Sequence, residues 1–379
     1  MKNTNSKISL FQFAVLGTMI GNALFVGFGI ILTLSSAKQD AWLTMIIATV
    51  FAIIPILILI YILNYKPNKN ILEKNRELFG NFFGSIINFI IICYVIFMLI
   101  IVLWSTTYFC LTQYLSEVPY LFMATLFILT AVYAVIKGIE TIARTNQLMF
   151  FVSFLIILTI VLSLRPHSQF IQIKPIMANG IMPLIKYAVI SLSYAFPPLL
   201  TLLIIPKDDI VNNKKYKRYL MLGFLSSVFF MSIVFYFVVS VNTIQLAELF
   251  RYPAYFVQYK IDIAGFFQGV ENFLSLHWIL NTFSLMMLSL YFINRYIKDT
   301  FKLEEGKKLK IITLIIGFVF VYISANIFPN SGAGVKFMKE VYPYYIAATL
   351  LGLLIIICIC IFFKRRKKPK EEEKILLLN

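Results

Sequence analysis

Residues 190–206 read ISLSYAFPPLLTLLIIP, an apolar run interrupted at its centre by two consecutive prolines, Pro197 and Pro198. Two prolines remove two backbone donors and set their rings against the preceding turn, which ends or kinks a helix at that point. The interruption matters because of what surrounds it. Of 379 residues, 60% are hydrophobic and 13% charged, and the mean hydropathy is +0.86. A soluble domain carries about 25% charged residues, so this composition indicates an integral membrane protein.

A spanning helix needs about 20 mostly apolar residues. Ten segments meet that length: 10–34, 41–64, 83–107, 119–136, 145–164, 182–205, 219–241, 272–294, 309–328 and 341–363. The stretch after MKNTNSKISLF is too long for a signal peptide and ends in no small-residue cleavage site, so it reads as an uncleaved first span. Cytoplasmic loops carry the excess of Lys and Arg. With the amino terminus inside, the cytoplasmic segments hold 26 of these residues and the external ones 7, leaving Lys186 within a span. Both termini are therefore expected in the cytoplasm. The membrane domain is expected over 1–364, with halves at about 10–164 and 182–363, followed by a basic and acidic tail at 365–379. This asymmetry accounts for the net charge of +17 without a nucleic-acid partner; the partner it implies is the lipid bilayer.

The first span holds Gly17, Gly21, Gly27 and Gly29 around a polar Asn22, and Gly21 and Asn22 fall at its middle. The prolines of span six, preceded by Tyr194 and Phe196, fall at the same depth. The two discontinuities lie five spans apart, and five is odd, so a second five-span repeat is inverted relative to the first. That is the plan of secondary transporters whose interrupted helices form a binding site at the midplane. Irregular backbone survives there only when it is buried in protein or lines a cavity. The fold class expected is all-α integral membrane, ten helices in two inverted five-helix repeats, with broken first and sixth helices.

All 17 acidic residues lie in loops, in the tail or at span edges, so no midplane carboxylate is available to couple transport to a proton or ion. A pocket without fixed charge suits a zwitterion or a neutral molecule. Candidate lining residues are Gly21, Asn22, Tyr94, Tyr194, Phe196, Pro197, Ser284 and Ser289. Lys186 is read as snorkelling to the interface, and His277, beside Trp278 at the start of a span, as interfacial. Cys93, Cys110, Cys358 and Cys360 fall in apolar runs and behave as small hydrophobes, so neither disulfide nor metal is expected. No cofactor motif, phosphate loop or nucleophile triad is present, and an enzyme is not expected. The charged external segment 243–273 is expected to form short helices over the outer mouth.

Several stretches together resemble the spore germination permease family, the B subunit of nutrient germinant receptors, itself similar to amino acid permeases. These are ISLFQFAVLGTMIGNALF around Gly21, KQDAWLT with Asp40 and Trp42, GIETIAR at 138–144, Pro206, Pro253, and FFQGVENFLSLHW with Glu271 and Trp278. The resemblance implies a small germinant such as an amino acid, bound between spans one, three, six and eight, with Gly21, Tyr94, Phe196 and Ser284 where the family's pocket is expected. It also implies the spore inner membrane, a larger membrane-anchored A subunit and a lipoprotein C subunit. The chain departs from the family at Leu199, Leu200 and Thr201, where many members carry an acidic residue, and at Gln268 and Gly269, where many carry Glu-Arg. Two other readings of the same pocket stand beside the receptor: a permease that moves amino acids or other small solutes, and a scaffold whose pocket is vestigial.

Overall fold

The computed structural model describes residues 7–257 and 271–376. Among the described residues, ten helices are long and apolar enough to cross a membrane: Leu10–Gly29, Lys38–Leu63, Ile71–Gln113, Tyr120–Lys137, Ile139–His167, Ile181–Ile204, Asn213–Val241, Ser275–Phe301, Lys307–Asn326 and Tyr342–Arg366. We call them spans one to ten. Their alternation puts both ends of the chain on one face, and makes the second five run in the opposite sense to the first. Spans one, six and eight are mostly buried and form the centre, whereas four, five, nine and ten turn most of their surface outward. Outward residues such as Phe82, Leu155, Tyr322 and Ile356 are large and exposed, as lipid contact requires.

Local signals set the helix starts. Ser9 and Gln12 form a capping box, with Gln12 N–H donating to Ser9 Oγ at 3.1 Å and Ser9 N–H donating to Gln12 Oε1 at 2.9 Å. Asn70 and Glu73 do the same at the start of the third helix. That helix begins at Ile71, earlier than the expected 83, and is broken at Gly80, whose φ of 78° is open to glycine and strained for other residues. The stretch before Gly80 folds back onto Gly84 and is held there by Asn88, which accepts from Asn75 at 2.8 Å and donates to Leu72 O at 2.9 Å.

Lys74, which the sequence places among the loop cations, is 1% exposed. Its ammonium donates to the carbonyls of Ile62 at 3.0 Å and Leu63 at 3.3 Å. A cation at the carboxyl end of span two meets both the unpaired carbonyls and the helix dipole. On the same face a parallel bridge joins Ile8 to Ile210, with Ile8 N–H on Asp209 O at 3.0 Å and Val211 N–H on Ile8 O at 2.9 Å.

On the opposite face, Ile244–Leu249 and Pro253–Phe256 are the short helices expected in segment 243–273. Residues 258–270 of that segment, including Lys260, Asp262, Gln268 and Gly269, lie outside the described residues. A further helix, Ser331–Glu340, leads into span ten. It lies between the expected spans nine and ten, in a stretch, SGAGVKFMKE, too short and too polar to be read as a span.

Candidate functional site

Span one is α-helical through Gly21 and Asn22 as far as Leu24 and departs from that geometry in a π-helical turn over Phe25–Gly29. Such turns widen the helix and free backbone groups. Here both edges are satisfied by side chains. Trp278 Nε1 donates to Ala23 O at 3.0 Å before the turn, and Thr33 Oγ1 donates to Gly29 O at 2.8 Å after it. Thr33, on the helix Ile30–Ala37 that continues span one, also pairs with Ser191 Oγ of span six at 2.8 Å. The indole of Trp278 fits only because Gly27 has no Cβ: one built there would lie 2.6 Å from the ring. His277 and Trp278 are each 3% exposed, which overturns the interfacial reading. Trp278 enters the bundle beside the π turn, where its indole N–H bonds Ala23 O, and His277 faces Ser153 of span five.

Span six is α-helical through Ala195 and continues as a 3-10 helix over Pro197–Ile204. With two donors missing, the chain tightens: Leu199 N–H reaches Phe196 O at 2.9 Å and Thr201 Oγ1 reaches Pro198 O at 2.7 Å. The two sides of this junction face different surroundings. Phe196 and Pro197 line an apolar cleft of about 290 Å³ with Phe51 and Pro55 of span two and Pro343 and Ala347 of span ten. Tyr194 is fully buried and donates to Met338 O at 2.5 Å. Its ring lies 5.4 Å from that of Tyr342, whose hydroxyl is 3.0 Å from the hydroxyl of Tyr94 on span three.

Asn22 belongs to a separate polar cluster. With Thr18 and Met19 of span one, Ser153 of span five, and His277 and Asn281 of span eight, it lines a cavity of about 10 Å³, room for a single water-sized group. Ser153 Oγ lies 2.5 Å from His277 Nδ1, and Asn281 Nδ2 lies 3.2 Å from His277 Nε2. An amide nitrogen only donates, so Nε2 accepts and Nδ1 carries the proton toward Ser153. The carboxamide oxygens of Asn22 and Asn281 are both buried and have no hydrogen-bond partner. An unpaired buried acceptor costs about 1–3 kcal/mol. The two residues that bear them line one small cavity, whose wall also includes Phe150, Phe154, Ile157 and Phe230 and holds no carboxylate, and each oxygen can accept from a donor such as an ammonium group.

The remaining expected residues divide. Gly21 faces Phe224 and Ser227 of span seven, as a packing contact. Ser284 Oγ donates to Leu280 O of its own helix at 2.9 Å, and Ser289 is buried with its hydroxyl unpaired. Lys186 is exposed, with its ammonium 5.8 Å from the Tyr187 ring centroid. Sequence reasoning missed Ser153, Asn281 and Tyr342. Asn281 had a usable signal, an amide in the interior of a span, as did Tyr342, in the YPYY stretch that opens span ten.

A family model described as spore germination protein matches residues 7–330. Relatives from Bacillus subtilis (strain 168) include spore germination protein A2, 24% identical and covering 92% of this chain and 94% of its own length. They also include spore germination protein KB, 24% identical over 82% of this chain and 83% of its own. Spore germination protein B2 is 23% identical over 93% and 92%. Among solved structures, MhsT in complex with L-phenylalanine aligns over 93% of this chain and 97% of its own, with a TM-score of 0.50 at 10% identity. That likeness establishes the architecture, the LeuT-type arrangement of two inverted five-helix repeats. Ten spans in this fold and a match along most of the chain lead to one assignment: this integral membrane protein belongs to the spore germination protein family.

Proposed function

We propose that the chain is the membrane subunit of a spore germinant receptor, binding a small nutrient germinant, an amino acid, at the bilayer midplane and signalling its occupancy. The observation that carries this reading is the unpartnered oxygen pair of Asn22 and Asn281, buried beside the π turn of span one. The ammonium of a zwitterion supplies the donors these oxygens lack. The small volume there corresponds to a closed pocket holding one group of the ligand, and entry of the whole molecule requires the surrounding helices to part. Binding that favours one arrangement over another is what converts occupancy into a signal. On this reading the protein sits in the spore inner membrane with both termini in the cytoplasm, and acts with a membrane-anchored A subunit and a lipoprotein C subunit.

The test is germination of spores carrying Asn22→Leu or Asn281→Leu, scored against amino acids, sugars and nucleosides with membrane abundance checked in parallel. Loss of response to particular germinants at normal abundance is expected. An unchanged response in both variants contradicts the reading, and saturable solute uptake by vesicles containing the chain would make it a permease instead.

A further inference from the structure

A second cavity, of about 310 Å³, opens on the face that carries both termini, between the turn joining spans four and five and the adjacent ends of spans eight and nine. Its lining includes Lys137 and Gly138 at the turn, Tyr291 and Arg295 on span eight, Glu305 before span nine and Lys310 on it. Three cations thus meet one carboxylate. Glu305 is already matched, accepting from Lys298 Nζ at 2.7 Å and from Arg295 Nη1 at 3.4 Å. Arg295 is held in place from its other edge, with Nε donating to Tyr291 Oη at 2.9 Å. Lys137 and Lys310 have no ion-pair partner among the described residues. Span five starts at the cavity wall, where Ile139 follows Gly138 with no side-chain cap, and the carboxylate in its first turn, Glu140, is paired with Arg144.

We propose that this cavity binds a phosphate group. A phosphate monoester carries about −1.5 to −2 charges, which balances the two unmatched ammonium groups, and a phosphodiester headgroup, with one charge, balances them in part. Its oxygens accept from several directions at once, as an arrangement with cations on three different elements requires. The fixed guanidinium of Arg295 offers the planar fork that suits an oxyanion. The volume lies at the low end of small-molecule sites and fits the phosphate of a soluble metabolite or of a lipid headgroup. This site is separate from the midplane cluster and does not depend on the germinant reading.

The experiment uses the full chain purified in neutral detergent, with melting temperature followed at constant ionic strength. Inorganic phosphate is titrated in one arm and short-chain phosphatidylglycerol in the other, against chloride and phosphatidylcholine controls. At least one phosphate probe is expected to give a saturable upward shift that its control does not. Lys137→Gln/Lys310→Gln, at exposed positions, is expected to weaken that apparent affinity by tenfold or more while melting as the parent does without ligand. If the double variant melts lower, Lys310→Gln alone must still weaken the affinity. Saturation by phosphate alone assigns a soluble ligand, by phosphatidylglycerol alone a lipid, and by both a site open to either. No saturable shift with either probe, or equal affinity in parent and variants, overturns the proposal.

Discussion

Tyr94 and Tyr342 meet hydroxyl to hydroxyl at 3.0 Å, which joins the middle of span three to the π-helical turn Tyr342–Ile346 that opens span ten. Tyr194, beside the prolines of span six, packs on the same ring and bonds the carbonyl of Met338 just before it. The junction of span six is therefore coupled to span ten through tyrosine contacts. Tyr342→Phe leaves the Tyr94 hydroxyl buried without its partner, an expected loss of about 1–3 kcal/mol. The Tyr94→Phe/Tyr342→Phe pair is expected to cost less than the sum of the two single changes, since those share one bond. Thermal unfolding in detergent measures both; strict additivity would mean that the hydroxyls do not interact.

Gly223 and Ser227, four apart on span seven, form the small-residue seam against span one. A Cβ on Gly223 would strike the backbone carbonyl of Ala14, and Thr18 Oγ1 bonds Gly223 O at 2.9 Å. Close approach of helices in lipid depends on such residues. Gly223→Ala is expected to destabilise by about 1–3 kcal/mol, the usual cost of overpacking, read as a lower melting temperature. A variant as stable as the parent would show that the seam has room to give.

Lys74→Met keeps the length of the side chain and removes the donor that caps Ile62 and Leu63. A charged hydrogen bond contributes about 1.5–3 kcal/mol, and a loss of that order is expected, with partial recovery in Lys74→Arg. A variant more stable than the parent would mean that desolvation of the ammonium outweighs its bonds.

Asp209 lies between spans six and seven, and burial raises its carboxyl above the ordinary value. Asp208 and Glu73 raise it further, while Arg295 and Lys7 oppose. A carboxyl raised in the folded state binds its proton more firmly there than in the unfolded chain. Its penalty is absent below the unfolded value, grows as pH rises through the folded one, and is full at neutral pH. Asp209→Asn is therefore expected to raise the melting temperature at pH 7, with the difference vanishing as pH falls below the ordinary carboxylate range. A constant difference across pH would assign the effect to packing.

The ten spans were legible in the sequence because lipid imposes one requirement on every spanning segment, about 20 apolar residues with their backbone bonds satisfied internally. The Pro197-Pro198 break was legible because proline acts locally. The π turn of span one lies beyond its expected place at Gly21, where Trp278 bonds Ala23 O and Ser191 pairs with Thr33, contacts remote in sequence. Lys74 was misread for a similar reason, since a loop cation and a buried cap have the same local sequence. Of the eight candidate lining residues, the fold brings Tyr94 and Tyr194 together only through Tyr342. It groups Asn22 instead with Ser153, His277 and Asn281. Neither grouping has a local signature, because each joins single polar residues from separate spans.

The most direct test of the proposed germinant site is equilibrium binding of labelled amino acids, sugars and nucleosides to the purified chain, repeated with Asn22→Leu and Asn281→Leu. Saturable binding of at least one amino acid, weakened tenfold or more by either change while the variants stay folded, is the predicted result. No saturable binding across the panel, or affinity unchanged in both variants, would contradict a germinant site built on the Asn22 and Asn281 oxygens.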